Sequence, residues 1–203
     1  MGATLASAAR TLKSCGRAKK KRGLPSLILL TDETRLPDPR AAIERLPAGS
    51  GVIFRHYDHP RRAGIAKELA ALCRRRRLRF MVGGDARLAL AVKADGLHLR
   101  ERDLAGRILP AARRLFITAA AHSRSTLVAA RRKGADAALL GPVFATESHK
   151  GAPVLGPVRF GLMARTSPLP VYALGGIGPG NARRLVGRGA AGIAGIGGFA
   201  PAL

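Results

Sequence analysis

The chain has 203 residues, enough for one hydrophobic core and marginal for two, and 47% of them are hydrophobic. No apolar run approaches the ~20 residues of a membrane span, so a membrane protein is not expected. The formal net charge of +24 comes from 36 Lys and Arg against 12 Asp and Glu, but nothing accompanies it that reads nucleic acid.

The arginines are scattered over segments that read as helices (Arg61, Arg62, Arg113, Arg114, Arg131, Arg132, Arg183, Arg184) and have no aromatic interleaving. The pattern is that of a solvated basic surface helping to attract small anions. A nucleic-acid partner is not expected. Cys15 and Cys73 have no metal-ligand spacing and no disulfide framework, and read as reduced thiols in a cytoplasmic protein.

Residues 1–25 contain no acid and include the basic cluster Lys19–Arg22. An organelle transit peptide, a nuclear signal and a surface helix before the first strand all fit; the reading adopted is the last, a basic N-terminal extension. Ala6 in place of Ser or Thr removes the myristoylation pattern after Gly2.

From residue 26 onward one rhythm recurs: an apolar run, a polar or glycine break, then a segment of helical period. The apolar runs are SLILLTD (26–32), GVIFRH (51–56), RFMVGG (79–84), GLHL (96–99), LFITAAA (115–121), AALLGPVF (137–144), PVYALGG (170–176) and AGIAGIGG (191–198). Continuous rather than alternating hydrophobicity is what parallel strands covered on both faces show. Between them the spacing predicts helices over Pro39–Leu46, Arg61–Arg77, Ala86–Val92, Ser123–Lys133, Val158–Thr166 and Pro179–Arg188, with a less regular stretch at Arg102–Arg113. Asp85 and Ser123 can cap the helices that follow them, Pro179 suits a first helical position, and Gly134 and Gly189 fit helix ends. Eight such units over 26–203 predict a single small α/β domain, a (β/α)8 TIM barrel. An open doubly wound sheet is the alternative.

In a barrel, function lies at the C-terminal ends of the strands. The glycines at Gly175 and Gly176, and those around Ile196 and Gly197, expose backbone amides that can converge on a phosphate, although glycines also merely permit tight turns. After the sixth strand, Thr146, Ser148, His149 and Lys150 gather hydroxyls and a cation suited to a second phosphate, or equally to a solvated loop. Asp103 can bind Mg²⁺ or cap the segment it opens. His122, at the end of the fifth strand, can act as acid or base or simply cap a helix. His98 alternates with Leu97 and Leu99 and reads as a packing residue.

The run ADGLHLRERDL, followed in order by AHS, GADAALLGPVFATESHKGAPVLG and PLPVYALGGIGPGNARRL, resembles the thiamine phosphate synthase and thiazole tautomerase superfamily over about residues 26–199. The resemblance implies a (β/α)8 barrel. It also implies an enzyme of thiamine biosynthesis, a transferase that joins a hydroxymethylpyrimidine diphosphate to a thiazole phosphate and releases pyrophosphate with the help of Mg²⁺.

Carried over position by position, it places the thiazole phosphate on Gly175, Gly176, Ile196 and Gly197, and a hydroxyl pair at Thr146 and Ser148. The loop lysine falls at His149 or, with a slip of one, at Lys150. The family's Gln-x-Arg-x-Lys appears as Ile53, Arg55 and Tyr57, its Asn-Asp after the third strand falls on Gly83 and Gly84, and its serine after the fifth falls on Ala120. Arg55 and Lys150 are thus expected on pyrophosphate and Asp103 on the metal. Every departure lies on the pyrimidine diphosphate side, and Asp85 is one residue beyond the missing carboxylate. A tautomerase-like enzyme using His122, and a non-catalytic thiazole-phosphate-binding barrel, are the alternatives. The expected partners are the phosphorylated thiazole and pyrimidine; no organic cofactor is expected, and a homo-oligomer is compatible with the sequence.

Overall fold

The computed structural model describes residues 23–146, 151 and 153–196. Its eight strands are β1 (Leu27–Leu30), β2 (Gly51–Phe54), β3 (Arg79–Gly83), β4 (Gly96–Leu99), β5 (Phe116–Ala121), β6 (Ala137–Leu140), β7 (Val171–Leu174) and β8 (Gly192–Gly195). All pair in parallel with their sequence neighbours, and β8 returns to β1 with Leu27 opposite Ile193, closing the barrel. Closure excludes the open sheet.

The continuous apolar runs serve two cores. Alternate residues such as Ile28, Leu30, Ile53, Met81, Leu139 and Tyr172 fill the barrel interior. Their neighbours Leu27, Leu29, Val52, Phe54, Val82 and Val171 face outward against the helices. Two polar groups buried inside the barrel are paired: His98 Nδ1 lies 3.0 Å from Thr118 Oγ1, and the Tyr172 hydroxyl donates to the Pro25 carbonyl at 2.7 Å.

The helices are α1 (Arg40–Glu44), α2 (Arg62–Arg75), α3 (Ala86–Ala91), α4 (Arg124–Arg132) and α5 (Gly156–Thr166). Asp85 accepts the Leu88 amide at 2.9 Å and Ser123 the Thr126 amide at 3.2 Å, so both caps form as the sequence predicts. Short 3₁₀ turns η1 (Glu101–Leu104) and η2 (Pro110–Arg114) fill the irregular stretch after β4.

The helix expected over Pro179–Arg188 does not form; only a 3₁₀ turn, η3 (Ala182–Leu185), is present. The reason is local. Pro179 lies between two glycines, and Asn181 takes the Gly178 amide at 2.9 Å while donating to the Gly176 carbonyl at 2.8 Å. The side chain holds the segment as a turn, which competes with helix.

A repeated device joins strands. Asp95 accepts the Phe80 amide at 2.8 Å and Asp136 the Ile117 amide at 3.0 Å, each from the residue just before its own strand. Each follows a residue of positive φ, Lys93 (φ 53) or Gly134 (φ 90), that ends a helix.

Candidate active site at the barrel mouth

At the C-terminal ends of β5 to β8 lies a cavity of about 270 Å³. Its floor and one wall are the β7 and β8 ends, Leu174–Ile177 and Ala194–Ile196. Gly175 (φ +97) and Gly176 (φ +62) turn the chain through the left-handed region, where only glycine is unstrained. The turn is also crowded: a Cβ on Gly176 would stand 2.2 Å from the Ala145 carbonyl oxygen, and one on Gly175 2.8 Å from Pro142 Cα. The β6 loop is stitched to this turn by Val143 and Phe144 amides donating to the Leu174 and Gly175 carbonyls at 2.9 and 3.1 Å. The amides of Gly175, Gly176, Ile177 and Ile196 donate to no other described residue. Unpaired amides bordering a cavity form a ready anion cradle.

Arg55, after β2, lines the opposite wall. Its Nε donates to the Thr31 carbonyl at 2.9 Å and its Nη2 to Asp32 Oδ2 at 3.1 Å, while its own amide donates to Thr31 Oγ1 at 2.9 Å. Burial lowers its pKa from the ordinary arginine value, with Tyr57 and Asp32 opposing. A guanidinium held this way is pre-oriented before a ligand arrives. His122 completes the lining: Nδ1 donates to the Gly141 carbonyl at 2.6 Å, which fixes the tautomer, and Nε2 is 3.6 Å from Glu101 Oε2. Thr146 and Arg35 also border the cavity.

The β3–β4 side is built differently. A Cβ on Gly83 would lie 3.0 Å from the Tyr57 hydroxyl, and one on Gly84 (φ +67) 2.8 Å from Cζ of Arg100. The space beside the two glycines is therefore filled by Tyr57 and Arg100. Arg100 grips Asp103 in a fork, Nε to Oδ2 at 2.9 Å and Nη2 to Oδ1 at 2.8 Å, and its amide donates to Oδ2 at 2.8 Å. Burial would raise the Asp103 pKa, but the hydrogen bonds and charge of Arg100 outweigh it and hold the carboxyl below the usual range. Asp85 is engaged as a helix cap and with Arg62 Nη1 at 3.0 Å.

Of the residues expected from sequence, Arg55, His122, Thr146, Gly175, Gly176 and Ile196 share one cavity. Asp103 does not line it and borders a separate cavity of about 210 Å³ beside β4. Ser148, His149, Lys150 and Gly197 lie outside the described residues. Sequence reasoning missed the supporting residues Thr31 and Asp32 as partners of Arg55, Asn181 as the clamp of the β7 turn, and Arg100. The Arg-x-x-Asp spacing of residues 100 and 103 was the available signal for the last.

The sequence profile of the thiamine monophosphate synthase family matches residues 27–199. The thiamine-phosphate synthase of Chlorobium luteolum is 38% identical over 182 residues, covering 84% of this chain and 82% of that protein. That of Methanospirillum hungatei JF-1 is 35% identical over 179 residues, covering 83% and 86%. The solved structure of thiamine phosphate pyrophosphorylase from Pyrococcus furiosus superposes with a TM-score of 0.69 at 30% identity, covering 83% of each chain. With a closed barrel, a glycine-lined mouth and these relatives in agreement, the chain belongs to the thiamine monophosphate synthase family of thiamine biosynthesis.

Proposed function

We propose that the protein is a thiamine phosphate synthase, joining hydroxymethylpyrimidine diphosphate to thiazole phosphate with release of pyrophosphate. The observation that carries this reading is the mouth cavity, bordered both by Arg55 and by Gly175, Gly176, Ile177 and Ile196, whose amides donate to no other described residue. The amides bind the thiazole phosphate and fix its ring. The C–O bond between the pyrimidine methylene carbon and the diphosphate breaks, both electrons leaving on the diphosphate. The thiazole nitrogen then gives its lone pair to the carbon, forming the C–N bond. Arg55 offers a pre-oriented cation to the charge that builds on the departing group, and such stabilisation is where catalysis of this kind is strongest. Lys150 is assigned to the same pyrophosphate, Thr146 and Ser148 to closure of the β6 loop over phosphate, and Gly197 to the thiazole phosphate. The substrates are water-soluble, which suits a cytoplasmic enzyme; among the described residues no helix is long and apolar enough to cross a membrane.

The family implies Mg²⁺, and the residues present do not fit it. Asp103 already accepts four hydrogen bonds from Arg100, Gly84 carries no ligand, and Asp85 is engaged elsewhere. No group of three His, Cys, Asp or Glu among the described residues could hold a metal. No step is therefore assigned to a metal held by the protein.

The test is direct. The purified protein is incubated with both substrates and Mg²⁺, and pyrophosphate is measured. Release that requires both substrates is expected. No release, from protein that still binds thiazole phosphate at micromolar concentration, overturns the synthase reading and favours a binding protein.

A further inference from the structure

Around Gly83 and Gly84 the charged groups are matched in pairs about one aromatic ring. Cζ of Arg100 lies 5.1 Å and Cζ of Arg62 5.7 Å from the Tyr57 ring centroid. Arg100 is bound to Asp103, and Arg62 gives Nη1 to Asp85 at 3.0 Å and Nη2 to the Gly83 carbonyl at 2.7 Å. Both carboxylates of this corner are therefore already compensated by guanidinium groups.

The volume that a side chain at position 84 would use contains the Arg100 guanidinium, 2.8 Å from where the Cβ would start. A divalent ion of the Mg²⁺ kind needs several oxygen ligands at about 2.0–2.1 Å in near-octahedral order. Here it would have to displace a forked ion pair and remain beside the displaced cation, and that repulsion is large in a partly buried site.

We propose that Arg100 is a resident cation that takes the place of a divalent metal in this barrel: locked on Asp103 and against Tyr57, it excludes metal from the β3–β4 corner. Arg100 is a positioning residue in this scheme, holding Asp103 and Tyr57 rather than touching the reacting atoms. The inference is independent of the reaction, because it concerns the protein before any substrate binds.

The experiment is a Mn²⁺ titration of the full chain read by electron paramagnetic resonance of the free ion, on wild type, D103N and the double variant G84D/R100A, with circular dichroism confirming the fold of each. Wild type is expected to show no Mn²⁺ site that D103N removes. G84D/R100A, which frees Asp103 and supplies a second carboxylate, is expected to gain about one Mn²⁺ per chain, displaceable by Mg²⁺. Aspartate is among the residues that tolerate the left-handed backbone of position 84. A stoichiometric site in wild type that is lost in D103N overturns the proposal. So does a folded G84D/R100A that gains nothing, since Arg100 is then not what excludes the metal. Mn²⁺ binding is read without substrate, so its outcome is separate from that of the pyrophosphate assay.

Discussion

At the scale of single residues, Arg55 and Arg100 differ in what they hold: Arg55 borders the mouth cavity, whereas Arg100 holds Asp103. Arg55 is tied to Thr31 and Asp32 yet borders the cavity, so R55A is expected to cut kcat/KM for pyrophosphate release by about 100-fold. The same change costs only about 1 kcal/mol of stability from lost hydrogen bonds, measurable by urea unfolding. R55K keeps the charge without the fork and is expected to fall between the two. Asp103 has its pKa lowered in the folded state by Arg100. Its contribution is therefore fully present above the unfolded value of about 3.9 and is lost as the pH falls through the lower folded value. D103N is expected to be less stable than wild type at pH 7, with the two unfolding curves converging in strong acid.

At the scale of elements, the β7 turn shows why loop chemistry and backbone shape cannot be separated. Gly176 combines a φ of +62 with a carbonyl oxygen 2.2 Å from any added Cβ. G176A is expected to cost about 2–4 kcal/mol, because strain and steric contact act together, and to abolish thiazole phosphate binding in calorimetry. Asn181 explains why the following helix shrinks to a single 3₁₀ turn: its amide side chain satisfies both ends of the Gly176–Gly178 bend. A propensity argument sees Ala182, Arg183, Arg184 and Leu185 as good helix formers and is overruled by the adjacent Asn181 side chain, which bonds back to Gly176 and Gly178.

At the scale of the whole molecule, the barrel interior governs acid stability. Burial pushes the His98 pKa down to about 3, and the nearby Arg55 adds to the effect. His56, buried against Phe54 and His59, is also shifted down chiefly by burial, and its two ring nitrogens have no hydrogen-bond partner among the described residues. Below about pH 6.5 the unfolded chain takes up protons that the folded barrel refuses, so stability falls as the pH drops from there towards 3. Each group contributes at most about 1.4 kcal/mol per pH unit. Chemical denaturation between pH 7 and 4 should show this slope, and H98N should retain only the part that belongs to His56.

The sequence by itself determined the barrel and which strand-end residues gather at its mouth. Eight two-faced apolar runs require cover on both sides, which parallel strands with crossover helices provide, and the caps Asp85 and Ser123 are short-range chemistry that any fold would keep. Gly175, Gly176 and Arg55 were legible because a strand end fixes both their position and their direction. Only the tertiary structure decided what happens around Gly83 and Gly84. Whether a missing side chain leaves a gap depends on which groups from other strands reach that space, and the answer, Tyr57 from the β2 loop and Arg100 from the β4 end, joins residues far apart in the chain. Asp103 reads as a metal ligand in one dimension; in three it is the partner of a guanidinium three residues away.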